Sequence, residues 1–112
     1  MSEVKGSFII RNEGNGCLTS IYLEHRTNTP YTECCKQITT DNPNDPFAGH
    51  YNTCWLEEGW TGARTANLSI QQSEGNRNIY NLRWTNIPES EWRYQGTAML
   101  FEGKLAGCYW KE

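Results

Sequence analysis

"WRYQGTAMLFEGKLAGCYWKE", residues 92 to 112, reads as two strands joined by a tight turn, rich in Trp and Tyr yet lined with Gly and Ala. A two-residue turn at Glu102-Gly103 pairs Leu100 with Leu105, Ala98 with Gly107, Gly96 with Tyr109, and Tyr94 with Lys111. Because side chains alternate across a strand, these residues share one face. Phe101, Met99, Thr97 and Gln95 then lie on the other, opposite Lys104, Ala106, Cys108 and Trp110. The first face is apolar but hollowed at Gly96, Ala98 and Gly107, with the Tyr109 ring expected over the bare Gly96 backbone. Such hollowing fits sharp strand curvature, an aromatic ring filling the space, or a cavity. A curved sheet closing on itself satisfies all three.

Upstream, the same two-residue period continues. "IYNLRWT" (79 to 85) sets Tyr80, Leu82 and Trp84 on one face, with Asn81 and Arg83 opposite. "ARTANLSIQQ" (63 to 72) does so with Ala66, Leu68 and Ile70, and "HYNTCWLE" (50 to 57) with Tyr51, Thr53 and Trp55. The connections "EGWTG", "SEGNRN" and "NIPESE" are turn-rich. "DNPNDPFAG" (41 to 49) is a loop, since its two Asx-Pro steps disfavour helix and sheet interior alike. Near the start, "GSFII" and "CLTSIYLE" flank "RNEGNG", whose Gly14 and Gly16 supply positive-φ positions for a hairpin loop. One segment reads differently. Tyr31, Cys34, Cys35 and Ile38 fall at helical spacing, with Thr29 as a cap and Pro30 at the first helical position. That predicts a short helix; a strand is the alternative, because Thr39 and Thr40 follow.

The stretch from "GHY" at 49 to 51 through strand after strand to "GTAMLFEGKLAGCYW" resembles the calycin-type barrels, the lipocalin and avidin group. In that family a Gly-x-Trp opens the barrel, and late strands carry Gly-rich, aromatic-ended segments. Gly49 matches the family glycine, while Tyr51 stands where Trp is typical. About five strands follow Gly49, so an eight-stranded barrel requires the first 48 residues to supply the rest. No biotin-site pattern maps onto the chain, so that ligand is not carried over.

At 112 residues with 37% apolar content, the chain holds one core and one domain, 1 to 112. The net charge is −3 and the basic residues are scattered singly, which argues against nucleic acid as a partner. No apolar run is long enough to span a bilayer as a helix, so no membrane partner is expected. "MSEVKGSFII" lacks the apolar segment and cleavage site of a signal peptide, so the expected location is cytoplasmic. Cysteines stand at 17, 34, 35, 54 and 108. The odd count, and the adjacent Cys34-Cys35 pair, argue for free buried thiols rather than a disulfide framework.

The residue types for chemistry are present, but their spacing is not. His25, His50 and the cysteines show no C-x-x-C or H-x-x-x-H pattern, so no zinc and no other cofactor is expected. Glu57 and Glu58 are adjacent and would point to opposite faces of a strand, so they cannot act as an acid/base pair. Neither a paired nucleophile nor a phosphate loop is visible. The aromatic residues carry the functional signal. Trp55, Tyr80, Leu82, Trp84, Tyr94, Gly96, Leu100 and Tyr109 mark the inner faces as the expected ligand-binding surface. Trp60, Trp92 and Trp110 fall on loops, strand ends or outward positions, where they suit sugar stacking or a protein interface.

The sequence therefore predicts an all-β protein, an antiparallel up-and-down meander closing into a small calycin-like barrel with one short helix. Its expected role is non-enzymatic: holding a small, partly apolar ligand in the barrel interior. A carbohydrate- or protein-binding module using the outward Trp residues is the alternative.

Overall fold

Gly14 and Gly16 (φ 89° and 76°) bend the chain back on itself in its first hairpin, and Glu102-Gly103 (φ 50° and 80°) do so in its last. The two positive φ values of the second pair are those of a type I′ hairpin turn, whose twist matches the flanking strands. Between these hairpins the computed structural model, which describes residues 3–56, 62–88 and 90–112, is a single closed sheet. Its strands are β1 (Val4–Gly14), β2 (Cys17–Glu24), β3 (Pro30–Thr39), β4 (Gly49–Leu56), β5 (Ala63–Gln72), β6 (Ile79–Thr85), β7 (Tyr94–Phe101) and β8 (Lys104–Lys111). Each pairs antiparallel with the next in sequence, and β8 pairs with β1 to close the barrel. Closure pairs each of these eight strands on both sides.

The terminal hairpin has the register its sequence predicts, with Leu100 opposite Leu105, Ala98 opposite Gly107, and Gly96 opposite Tyr109. The filling of its hollow differs from expectation. A Cβ built at Gly96 would lie 3.1 Å from Trp84 and 3.3 Å from Phe8, so those rings cover it. The Tyr109 ring lies over Gly6 on the other neighbouring strand, where a Cβ would come within 2.6 Å of it. Tyr109 thus leans toward β1, and Trp84 takes the space it leaves.

Residues 31 to 38 form part of a strand, not the predicted helix. Tyr31, Glu33, Cys35 and Gln37 turn inward, while Cys34 and Ile38, which completed the helical spacing, are exposed on the outside. The physical reason is closure. β3 pairs with β2 along one side and β4 along the other, and a helix there would leave two open edges. The expected burial of the thiols holds only for Cys35; Cys34 and Cys54 are exposed and opposite each other on β3 and β4.

The barrel has unlike ends. The connections β1–β2, β3–β4, β5–β6 and β7–β8 lie at one end. There the loop after β3 folds into the opening and buries Phe47 to 1% exposure. Asp45 Oδ1 accepts bonds from the backbone N–H of Phe47 (2.8 Å) and Ala48 (2.9 Å), which holds the loop in its turn. The Tyr51 hydroxyl donates to the Phe47 carbonyl at 2.8 Å, and Tyr80 donates to both Asp45 oxygens at 3.1 and 2.9 Å. The Phe47 and Tyr80 rings meet edge to face at 6.1 Å. Leu18, Leu68, Ile70, Leu82, Ala98 and Leu105 are buried in the same core cluster. This end is filled.

Candidate functional site

At the opposite end the aromatic residues stand apart and leave a cavity of about 350 Å³. Its walls come from the inward positions nearest that rim: Tyr22 on β2, Tyr31 on β3, Trp55 on β4, Trp84 on β6, Tyr94 on β7 and Tyr109 on β8. Phe8 of β1 lies beneath Trp84, ring centroids 5.7 Å apart and interplanar angle 75°. Glu24, Thr27 and Ile87, at the end of β2 and in the connections β2–β3 and β6–β7, complete the lining.

The rings brace one another. Tyr22 and Tyr31, paired across β2 and β3, stack at 5.5 Å with a 27° interplanar angle. Tyr109 meets Tyr22, Tyr94 and Trp84 edge to face, with centroids 6.1, 6.0 and 6.2 Å away. Contacts of this geometry are worth about 0.5–1.5 kcal/mol each beyond the area they bury. The wall is therefore preformed rather than collapsed.

Glu33 lies at the floor, 4% exposed, opposite Ser20 on β2 and Trp55 on β4. Its Oε2 accepts a bond from Thr53 Oγ1 at 2.5 Å and another from Trp84 Nε1 at 3.0 Å. Thr53 Oγ1 in turn accepts from the Cys35 thiol at 3.4 Å. Ser20 Oγ has no hydrogen-bond partner, the only buried side-chain oxygen or nitrogen among the described residues in that position. It stands beside the carboxyl and acts on it more weakly than Thr53 or Trp84. Burial pushes the Glu33 pKa above its ordinary value, because the charged form loses its water; the bonds from Thr53 and Trp84 pull it part of the way back. Burial likewise raises the Cys35 thiol, helped by the neighbouring Glu33 charge.

The cavity brings together four of the residues expected from sequence, Trp55, Trp84, Tyr94 and Tyr109. The other four do not reach it. Tyr80 and Leu82 are core residues deeper in the barrel, with Tyr80 bound to Asp45 at the filled end, and Leu100 packs against that core. Gly96 is covered by Trp84 and Phe8. Phe8, Tyr22, Tyr31, Glu33, Glu24, Thr27 and Ile87 are additions that the sequence reading missed. For Tyr31 and Glu33 the missed signal is the alternation Tyr31, Glu33, Cys35, Gln37, legible once β3 is taken as a strand.

No group of three or more His, Cys, Asp or Glu among the described residues could hold a metal ion. Of the outward tryptophans, Trp92 is exposed and lies under the Lys111 ammonium at 3.9 Å, Trp110 is half-buried, and Trp60 lies outside the described residues, as do Glu57 and Glu58. No known protein family, curated protein or solved structure matches the chain.

Proposed function

We propose that this barrel is a non-catalytic binding protein that holds a small, partly apolar ligand in the aromatic cavity at its open end. One observation carries the reading: a preformed cavity of about 350 Å³, walled by rings from seven strands and floored by one buried carboxyl. Its size lies at the small end of the range for small-molecule sites, where apolar walls supply affinity and a few polar groups fix orientation. The eight-stranded up-and-down topology is compatible with the calycin barrels, and on that likeness the open end is the ligand mouth. The cavity chemistry favours binding over turnover, since the Glu33 carboxyl is engaged by Thr53 and Trp84, and among the described residues no second acid, base or nucleophile pairs with it.

The test is a titration with N-phenylnaphthylamine, a neutral apolar fluorophore. Saturable enhancement at one site per chain, weakened by Tyr109→Ala or Trp55→Ala, is the expected result. Enhancement that does not saturate, or that neither substitution changes, overturns the proposal.

A further inference from the structure

The cavity's charge is one-sided. Its described lining holds two carboxylates, Glu24 at the rim and Glu33 at the floor, and no Lys, Arg or His. The basic residues nearest in register stand outside that lining. Lys111, opposite Tyr94, and Arg64, opposite Trp55, share the inward face at the rim, with Lys111 over the Trp92 ring, and Arg26 pairs with Glu24 at 3.4 Å. Ring faces are the negative ends of aromatic quadrupoles, so the walls add attraction for a cation and none for an anion.

Glu33 is built to receive a charge. Oε2 takes both the Thr53 hydroxyl and the Trp84 indole N–H, which fixes the carboxyl in place, and Oε1 takes part in neither bond. An isolated buried carboxylate is costly, and what offsets the cost is a paired counter-charge. No Lys, Arg or His among the described lining residues supplies one. A ligand ammonium would supply it, passing on the way in Glu24, which already pairs with Arg26 at 3.4 Å.

We propose that the ligand is an organic cation: a protonated amine on a flat, apolar body, with the ammonium on Glu33 and the body between Tyr22, Trp55 and Tyr109. This rests on the cavity being a binding site and names the class of molecule it takes. The volume admits one ring system and a short ammonium arm.

Three matched probes decide it: tryptamine, a cation; tryptophol, its neutral isostere; and indoleacetate, an anion. Each is titrated by calorimetry and by displacement of N-phenylnaphthylamine at neutral pH. Tryptamine is expected to bind about tenfold tighter than tryptophol or better, the scale of one charge-assisted contact, with indoleacetate weakest. Glu33→Gln is expected to weaken tryptamine about tenfold, bringing it close to tryptophol. If that variant does not fold, the three probes on the unaltered chain decide alone. Tryptophol or indoleacetate binding as tightly as tryptamine overturns the cation assignment and leaves the binding site standing. A preference undiminished by Glu33→Gln overturns the placement of the ammonium on Glu33. Failure of the fluorophore and all three probes overturns the site itself, and the assignment with it.

Discussion

Glu33 gives the folded chain a greater hold on one proton than the unfolded chain has. Burial raises its folded pKa, so between the ordinary carboxylate value and the raised one the folded state keeps a proton that the unfolded state has lost. Stability falls wherever the folded state binds more protons and pH increases. The penalty is absent below the ordinary value, grows through the window and is constant above the raised value. Glu33→Gln keeps an acceptor for Trp84 without the ionisation, so its advantage in ligand-free protein should open with increasing pH. Urea midpoints of both chains from about pH 4 to pH 8 check this; a constant difference contradicts it. The thiols give a second prediction at this scale. Cys34 and Cys54 are exposed, whereas Cys35 is 3% exposed with its pKa raised by burial. Since the thiolate is the reacting form, a maleimide should label Cys34 and Cys54 in the folded protein and Cys35 only after unfolding. Peptide mapping after a short pulse checks the order.

At the scale of elements, the tightest place is where β8 crosses between its two neighbours. A Cβ at Gly107 would collide with the Thr97 carbonyl oxygen and lie 2.7 Å from the Ala98 Cα, so the β7–β8 ladder itself would have to shift. At Gly96 the obstacles are the Cys108 carbonyl oxygen at 3.0 Å and two ring edges, which have room to move toward the cavity. Gly107→Ala should therefore cost more than Gly96→Ala. Gly96→Val should destabilise by about 1–3 kcal/mol, as overpacking does, while the outward Thr97→Val is tolerated. Thermal midpoints of these variants give the ranking directly. This hairpin was legible in the sequence because its two-residue turn locks a register, and a register in a sheet determines every facing. β3 was not. Cys34, Cys35 and Ile38 form a helical stripe if cysteine is counted as apolar, and only pairing with both β2 and β4 shows that Cys34 and Ile38 face outward. With β3 misread, Glu33 was hidden too. Its partners Thr53 and Trp84 lie 20 and 51 positions downstream, and no local pattern joins them. The aromatic wall was legible in part, since period two points Trp55, Trp84, Tyr94 and Tyr109 inward. How deep each one sits depends on the filled end, which the strands alone do not reveal.

Across the whole molecule, closure by β1–β8 pairing and the Phe47 plug settle different questions. Closure removes edges; the plug makes one end solid. Phe47→Ala should cost about 3–5 kcal/mol, as loss of a buried aromatic ring does, and denaturant unfolding measures it. Asp45→Ala should cost less, about 1–3 kcal/mol, by leaving the Phe47 and Ala48 amides and the Tyr80 hydroxyl without their acceptor. Because that end is solid, the cavity is a blind well, and a blind well constrains kinetics. Any bound molecule departs by the route it arrived, so an obstruction at the rim taxes capture and escape by the same factor. A bulky side chain at Thr27 should slow both rate constants together and leave affinity nearly unchanged, whereas alterations at the Glu33 floor should act on escape alone. Stopped-flow traces would thus separate the residues that time the exchange from those that hold the guest.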